Sequence, residues 1–360
     1  MNILAFESSC DETSAAVVEC SDGGFTVKSN IIASQVDTHR LYGGVVPEIA
    51  SRAHIEAISG ITYEALSSSG LSMSDIDAVA VTANPGLIGA LLVGVNFAKA
   101  LASANRLPLI AVDHIKGHIA AAYLDEEGNV PTPPFVALAV SGGHTAIYRL
   151  DTHTEISLIG TTRDDAIGES YDKIGRLIGI PYPAGRGFDE LSRAGFIKAT
   201  GREEGFYKEY KKSDAYKDKE MSLPSPALSD GTLDFSFSGL KTAAINLIHR
   251  FEQKERELDR EFFAARYTYE ATEAVAKKIG MALERNPECD LVLCGGVAAN
   301  SHLSSRLREL SAKYNRKFFV PKMSLCGDNA AMIAAAAYYE YKKGNISDSS
   351  LNASAQDKIV

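Results

Sequence analysis

Two histidines one helical turn apart are the residues in this sequence best spaced for chemistry. His114-Ile-Lys-Gly-His118 has the i, i+4 spacing that puts both imidazoles on one helical face. That geometry suits two adjacent positions on one divalent metal. It equally suits two half-exposed histidines on a surface helix. No Glu follows the first histidine, so the H-E-x-x-H pattern of zinc proteases is not met, and a metal here would lack the general base built into that motif. Asp328 is the candidate third ligand, with helix N-capping as its competing role.

Three other constellations carry weaker signals. Gly295-Gly296-Val297-Ala298-Ala299-Asn300 lies between a strand-like and a helix-like run. Its glycines permit a turn that lies flat against a base or ribose, and Asn300 both donates and accepts; a helix-packing turn has the same composition. It is neither a Walker A loop nor a dinucleotide fingerprint. In RDDAIGESYDKIGRLIG, the spacing of Asp165, Glu169 and Asp172 predicts one acidic side of a helix, followed at once by PYPAGRGFDE. We read that pairing as a ribose- or hydroxyl-binding edge. Asp234 to Lys241 is either a plain strand ending or a cleft lining that offers Ser238 and Lys241.

The elements that must position these residues follow a repeated plan. Residues 2–19 read as a strand, a small polar turn and a second strand, and residues 135–150 repeat it. Small residues in such turns let backbone N–H groups approach an anionic ligand closely. Two such hairpins predict a duplicated fold with a ligand held between the copies. Residues 75–82, 107–114, 289–294 and 317–321 read as further strands. Helices are expected from His54 to Ser67, from Gly86 to Ala102, onward from His114, from Glu261 to Arg285, and over 327–343, begun by Gly327 or Asp328. The charged, Tyr- and Lys-rich segment 194–222 reads as an exposed insertion, and 346–360 as a flexible tail.

Length and composition bound the class. At 360 residues, 45% hydrophobic and 23% charged, the chain suits two globular lobes. We place the N-terminal lobe at 1–112, completed by the 327–345 helix, and the C-terminal lobe at 113–326. The start MNILAFESSC lacks a cationic region, so no signal peptide is expected, and Asn96 and Lys99 interrupt the greasiest stretch, so no membrane span is expected. Five cysteines without a CxxC pair fit a reduced cytoplasmic protein. A net charge of −9 argues against a surface that grips nucleic acid everywhere, though not against a local basic patch.

Taken in order, FESSCDETS, YGGVVPEIASRAH, NPGLIGALLVG, HIKGH, VSGGHT, DDAIGESYDK, DFSFSGLKT, GGVAAN and CGDNAAMIA resemble the bacterial TsaD family, from Met1 to about Lys343. These are tRNA N6-adenosine threonylcarbamoyltransferases, once described as sialoglycoproteases. The resemblance implies the duplicated actin/Hsp70/sugar-kinase α/β fold, two lobes with a cleft between them. It places a divalent metal, iron or zinc, on His114, His118 and Asp328. Threonylcarbamoyl-adenylate contacts fall on Ala139, Val140, Ser141, Gly142, Gly143, Asp172, Gly185, Asp189 and Asn300, and Asp11 and Glu12 match acidic residues needed for turnover. It also implies tRNA as acceptor, with adenosine 37 of tRNAs reading ANN codons as the target. The implied partners are a TsaB-like paralogue and a TsaE-like ATPase, with a TsaC-type synthase upstream. The chain departs from the family in Ala184 and Arg186 within YPAGR, where Y-P-G-G-P is usual, and in Gly327, where a hydroxyl residue is usual. A small-molecule kinase of the same fold is the alternative function.

Overall fold

A computed structural model describes residues 1–203, 207–226, 228, 230–356 and 359. Its frame is two five-stranded sheets built to one plan. In the first, β1 (Asn2–Glu7), β2 (Glu12–Ser21), β3 (Gly24–Ser34), β4 (Ala78–Asn84) and β5 (Leu109–Asp113) lie in the order β3-β2-β1-β4-β5. In the second, β6 (Phe135–Val140), β7 (Thr145–Leu150), β8 (Ile156–Thr161), β9 (Asp290–Cys294) and β10 (Phe318–Phe319) lie in the order β10-β9-β6-β7-β8. Each sheet pairs its first strand antiparallel with its second and parallel with its fourth. The two expected hairpins are β1–β2 and β6–β7. The third strand of each sheet, β3 and β8, was not anticipated.

Between the sheets lies a core shared by both. It takes Ile3, Ala5 and Val18 from the first sheet and Ala137, Tyr148 and Val292 from the second. Two helices fill the space, His114–Ala120 and Ala330–Lys342. The second is alanine-rich because it is buried along nearly its whole length, where only small side chains allow backbones to approach. Gly117 sits at the crossing. A Cβ there would come within 2.6 Å of the Ile333 side chain.

Local chemistry sets the helix ends. The Pro47–Ser69 helix starts earlier than expected because Pro47 occupies its first turn, where a missing N–H costs nothing, and Gly70 ends it at φ 71°. The Ala330–Lys342 helix is capped by Asn329, which accepts from the Met332 N–H at 3.0 Å. This corrects the expectation that Gly327 or Asp328 begins it. The acidic stripe is also corrected. The helix there is Ile167–Leu177, so Asp165 precedes it and pairs with Lys173 and Lys241.

Two segments expected to be loose are packed. Residues 194–200 continue the Gly185–Thr200 helix, and Phe196 and Tyr210 are buried against Ala265 and Tyr269. Arg266 lies 3.9 Å over the Tyr216 ring and donates to the Tyr216 carbonyl. The aromatic residues that made the segment look like an arm anchor it instead. Positions 204–206 of that segment lie outside the described residues. Further on, Ser347 and Ser354 donate backbone N–H groups to Leu109 and Ala83, so this part of the expected tail lies along the first sheet. Residues 357, 358 and 360 lie outside the described residues. Ile88–Asn105 is long and apolar enough to cross a membrane, and it packs on β4, with Gly94 against Ser8.

Candidate functional site

The histidine pair is positioned from below by β5. Asp113 ends that strand and caps the next helix, accepting from the N–H groups of Ile115 and Lys116. His114 and His118 are both buried. Their Nε2 atoms converge on Asp328 Oδ1, at 3.6 Å and 3.2 Å. Because Asn329 does the capping, the Asp328 carboxylate is free to face the imidazoles.

These three residues could hold a metal ion. One ligand atom from each lies within 4.8 Å of the others. Two imidazoles and a carboxylate are the donor set of catalytic zinc and of non-haem iron centres. Among the described residues His118 Nδ1 has no hydrogen-bond partner and Nε2 meets only the Asp328 carboxylate, which leaves that ring open to a metal ion. The Asp328 side chain keeps 18% of its exposure, so the group is not sealed from solvent.

The surroundings are acidic. Burial disfavours the charged form of His114, but Glu7 and Asp328 outweigh it and lift the imidazole to about 9. Burial likewise opposes ionisation of Asp328, and His114 and His118 overcome it, holding the carboxyl well below its usual range. Glu12 has no such help. Burial, then the charges of Asp328 and Asp11, push it up to about 9. A cation at the His/Asp group would offset the repulsion that Asp328 and Asp11 exert on Glu12, and would take the place of the His114 proton.

The first hairpin turn touches this group through Ser9, and His144 of the second lies near enough to Asp328 to favour its charge. In the first, Ser8 to Asp11 is buried apart from half-buried Cys10. Gln35 donates its N–H to the Asp11 carbonyl at 3.0 Å, and His54 Nε2 donates to the Cys10 carbonyl at 3.0 Å. Because the carbonyl only accepts, His54 Nδ1 takes the hydrogen of Thr13 Oγ1, 2.7 Å away. In the second turn, the Ser141 N–H donates to the His144 carbonyl at 2.8 Å, leaving Gly142 and Gly143 exposed at the tip. Ala139 and Val140 are buried in β6. Gly295 must be glycine here: its φ is +89°, and a Cβ would strike the Val140 carbonyl.

The remaining sequence candidates line the C-terminal side. Asp172 accepts from the Ala184 N–H at 2.7 Å, next to Gly185, which opens the Gly185–Thr200 helix. Burial raises the Asp172 carboxyl, and Asp11 in the other lobe adds to the rise. Asn300 caps the Ser301–Lys313 helix through Leu303 N–H, and Asp189 accepts from Ser301 N and Oγ at 3.1 Å each. Asp11, Glu12, Asp172 and Asp328 thus form one electrostatic group, while Asp189 and Asn300 meet at a helix start. Ser238 donates to Asp164 and Lys241 pairs with Asp165, so they hold the loop after β8.

Sequence reasoning passed over Glu7, Ser9 and His54. Glu7 is fully buried beside His114, and Ser9 Oγ lies 3.1 Å from His114 Nδ1. The available signal was a carboxylate closing an otherwise apolar strand, NILAFE.

The family model described as TsaD, tRNA N6-adenosine threonylcarbamoyltransferase, matches residues 26–335. The tRNA N6-adenosine threonylcarbamoyltransferase of Moorella thermoacetica is 47% identical over 352 residues, covering 98% of this chain and 95% of that one. Its counterpart in Clostridium beijerinckii is 43% identical over 357 residues, covering 99% and 98%. Among solved structures, HypF from T. kodakarensis superposes with a TM-score of 0.52 at 11% identity, covering 97% of this chain and 48% of its own. Component A of (R)-2-hydroxyglutaryl-CoA dehydratase from Acidaminococcus fermentans gives 0.51 at 13% identity, covering 95% and 98%. At those identities the likeness speaks for the fold alone, the duplicated α/β fold of actin, Hsp70 and sugar kinases. The sequence relatives do not favour a kinase. By the family model and by relatives matched along nearly its full length, the chain belongs to the TsaD family of tRNA N6-adenosine threonylcarbamoyltransferases.

Proposed function

We propose that the chain transfers the threonylcarbamoyl group of threonylcarbamoyl-adenylate to N6 of adenosine 37 in tRNAs reading ANN codons. The observation that carries this reading is the His114/His118/Asp328 group set between the two hairpin turns, in a chain of this family. The adenine N6 attacks the carbamoyl carbon, the bond from that carbon to the phosphate oxygen breaks, AMP leaves, and N6 loses a proton. N6 is a poor nucleophile because its lone pair is delocalised into the ring, so catalysis depends on polarising the carbonyl and aligning the reactants. A divalent metal, iron or zinc, supplies Lewis acidity when bound by the three ligands.

The chain's own residues do the rest. The backbone of Ala139, Val140, Ser141, Gly142 and Gly143 cradles the donor, whose approach the absence of side chains at 142 and 143 permits. Asp172, Gly185, Asp189 and Asn300 hold the adenylate's ribose and base. Asp11 and Glu12 are the two candidates to accept the N6 proton, Glu12 only where a cation offsets the charges of Asp328 and Asp11 that keep it protonated. The target base lies in a single-stranded loop, so exposing it costs little. We assign a cytoplasmic setting and two partners, a TsaB-like paralogue and a TsaE-like ATPase, which compensate for the weak tRNA grip of so acidic a protein. The test is incubation of the purified chain with synthetic threonylcarbamoyl-adenylate, unmodified tRNA and both partners, under iron or zinc. Threonylcarbamoyladenosine in the digested tRNA is expected. Its absence under both metals overturns the reading.

A further inference from the structure

Glu7 closes β1 as a carboxylate with no exposure, in a strand otherwise lined by Ile3, Leu4, Ala5 and Phe6. An unpaired charge at such a place costs several kcal/mol, so its oxygens need donors. They have three. Ser9 N–H reaches Oε1 at 2.5 Å, Thr82 Oγ1 reaches Oε2 at 2.5 Å, and His114 Nδ1 lies 3.0 Å from Oε2.

The third contact has a direction. An ionised carboxylate only accepts, so in the neutral imidazole that a metal requires the hydrogen sits on Nδ1 and the lone pair remains on Nε2. Nε2 is the atom that faces Asp328. His118 has no counterpart: its Nδ1 is buried without a hydrogen-bond partner among the described residues. The two histidines are therefore not equivalent, and one of them is held in tautomer and orientation from behind.

We propose that Glu7 is a positioning residue for the metal centre, holding His114 as its Nδ1–H tautomer so that Nε2 presents its lone pair beside His118 Nε2 and Asp328. The inference rests on reading those three residues as metal ligands. The competing role is that Glu7 only anchors the turn after β1 through Ser9. Glu7→Gln separates the two, because it keeps the volume and one acceptor oxygen while removing the charge. Measured on the full chain by competition with a chromophoric chelator, Zn²⁺ affinity is expected to fall about 10–100-fold in Glu7→Gln, the usual cost of losing an outer-shell partner. In the metal-free protein held above about pH 10, where the His114 imidazole is neutral, ¹⁵N spectra of the histidine rings should show the Glu7→Gln variant leaving the Nδ1–H form. Thr82→Val strips a donor from the same carboxylate without touching the imidazole, and should leave Zn²⁺ affinity within about threefold, well short of an outer-shell loss. An unchanged affinity in folded Glu7→Gln overturns the inference, as does an equal loss in Thr82→Val. Should Glu7→Gln not fold, Glu7→Asp, which withdraws the carboxylate by one methylene, is read the same way, and unchanged affinity there overturns it too. If the unsubstituted chain binds no Zn²⁺ or Fe²⁺, the metal reading itself fails, and that result is distinct.

Discussion

Among the described residues the His118 ring nitrogens meet only Asp328, so its substitution probes the centre most directly. His118→Ala should lower metal content by more than the roughly 10–100-fold in affinity that an outer-shell change costs. Metal analysis after dialysis at limiting metal checks this, and full retention would remove His118 from the ligand set. Asp11→Ala and Glu12→Ala belong to the other half of the site. Each should slow transfer by about 10²–10⁴-fold, the range of a lost acid–base group, while adenylate binding measured by calorimetry stays unchanged. In the metal-free chain His114 also confers a pH dependence. Its imidazole titrates at about 9 when folded, against 6.5 when free, so the stability it contributes is complete below pH 6.5 and is lost as pH rises through 9. Thermal melts of metal-free protein should therefore fall between pH 7 and 10, and His114→Gln should flatten that fall. At this scale the sequence disclosed types and spacing: His114 and His118 by their helical period, Asp328 only as one of two adjacent polar residues. Which of Asp328 and Asn329 capped the helix depended on backbone dihedrals that a sequence does not display, and Glu7 was hidden because burial of a carboxylate leaves no periodic trace.

Among the elements, the crossing of His114–Ala120 with Ala330–Lys342 bears most on the site, because its ligands sit on or beside both helices. Gly117→Val would drive a side chain into Ile333 and should cost about 1–3 kcal/mol in urea unfolding, the usual range for overpacking. Zn²⁺ affinity should fall with it, since the histidine helix must shift away from Asp328. Unchanged stability would mean that the crossing is looser than it looks. The Pro47–Ser69 helix acts on the first turn in a similar way through His54, whose ring bridges Thr13 and the Cys10 carbonyl. Elements with strong periodicity or composition were legible, including both hairpins and the alanine-rich helix. The missed strands β3 and β8 are edge strands with half-exposed faces, where alternation is diluted by solvent-facing residues. The 194–222 segment misled because its aromatics looked like decoration among lysines, and only packing on Tyr269 and Arg266 gave them a role.

For the whole molecule, the charge of −9 has a measurable consequence. Filter binding of unmodified tRNA to the isolated chain should be weak and fall steeply with salt, and adding the partners should strengthen it more than it changes the slope. Tight, salt-insensitive binding by the chain alone would count against partner-assisted tRNA delivery. The duplication has a second consequence, because the fold is not laid down in the order in which it is read. The helix that covers the inner face of the first sheet is Ala330–Lys342, and Asp328 comes just before it. A ribosome thus completes both sheets before the piece that seals the first one leaves the exit tunnel. Throughout synthesis the nascent chain carries an uncovered apolar underside and two histidines awaiting their third ligand. Arrested chains ending before residue 328 should be protease-sensitive across 1–120 and unable to retain metal, whereas chains extended past 345 beyond the tunnel should gain both properties together. Metal loading would then mark the arrival of the Ala330–Lys342 helix, a checkpoint written into the order of its residues.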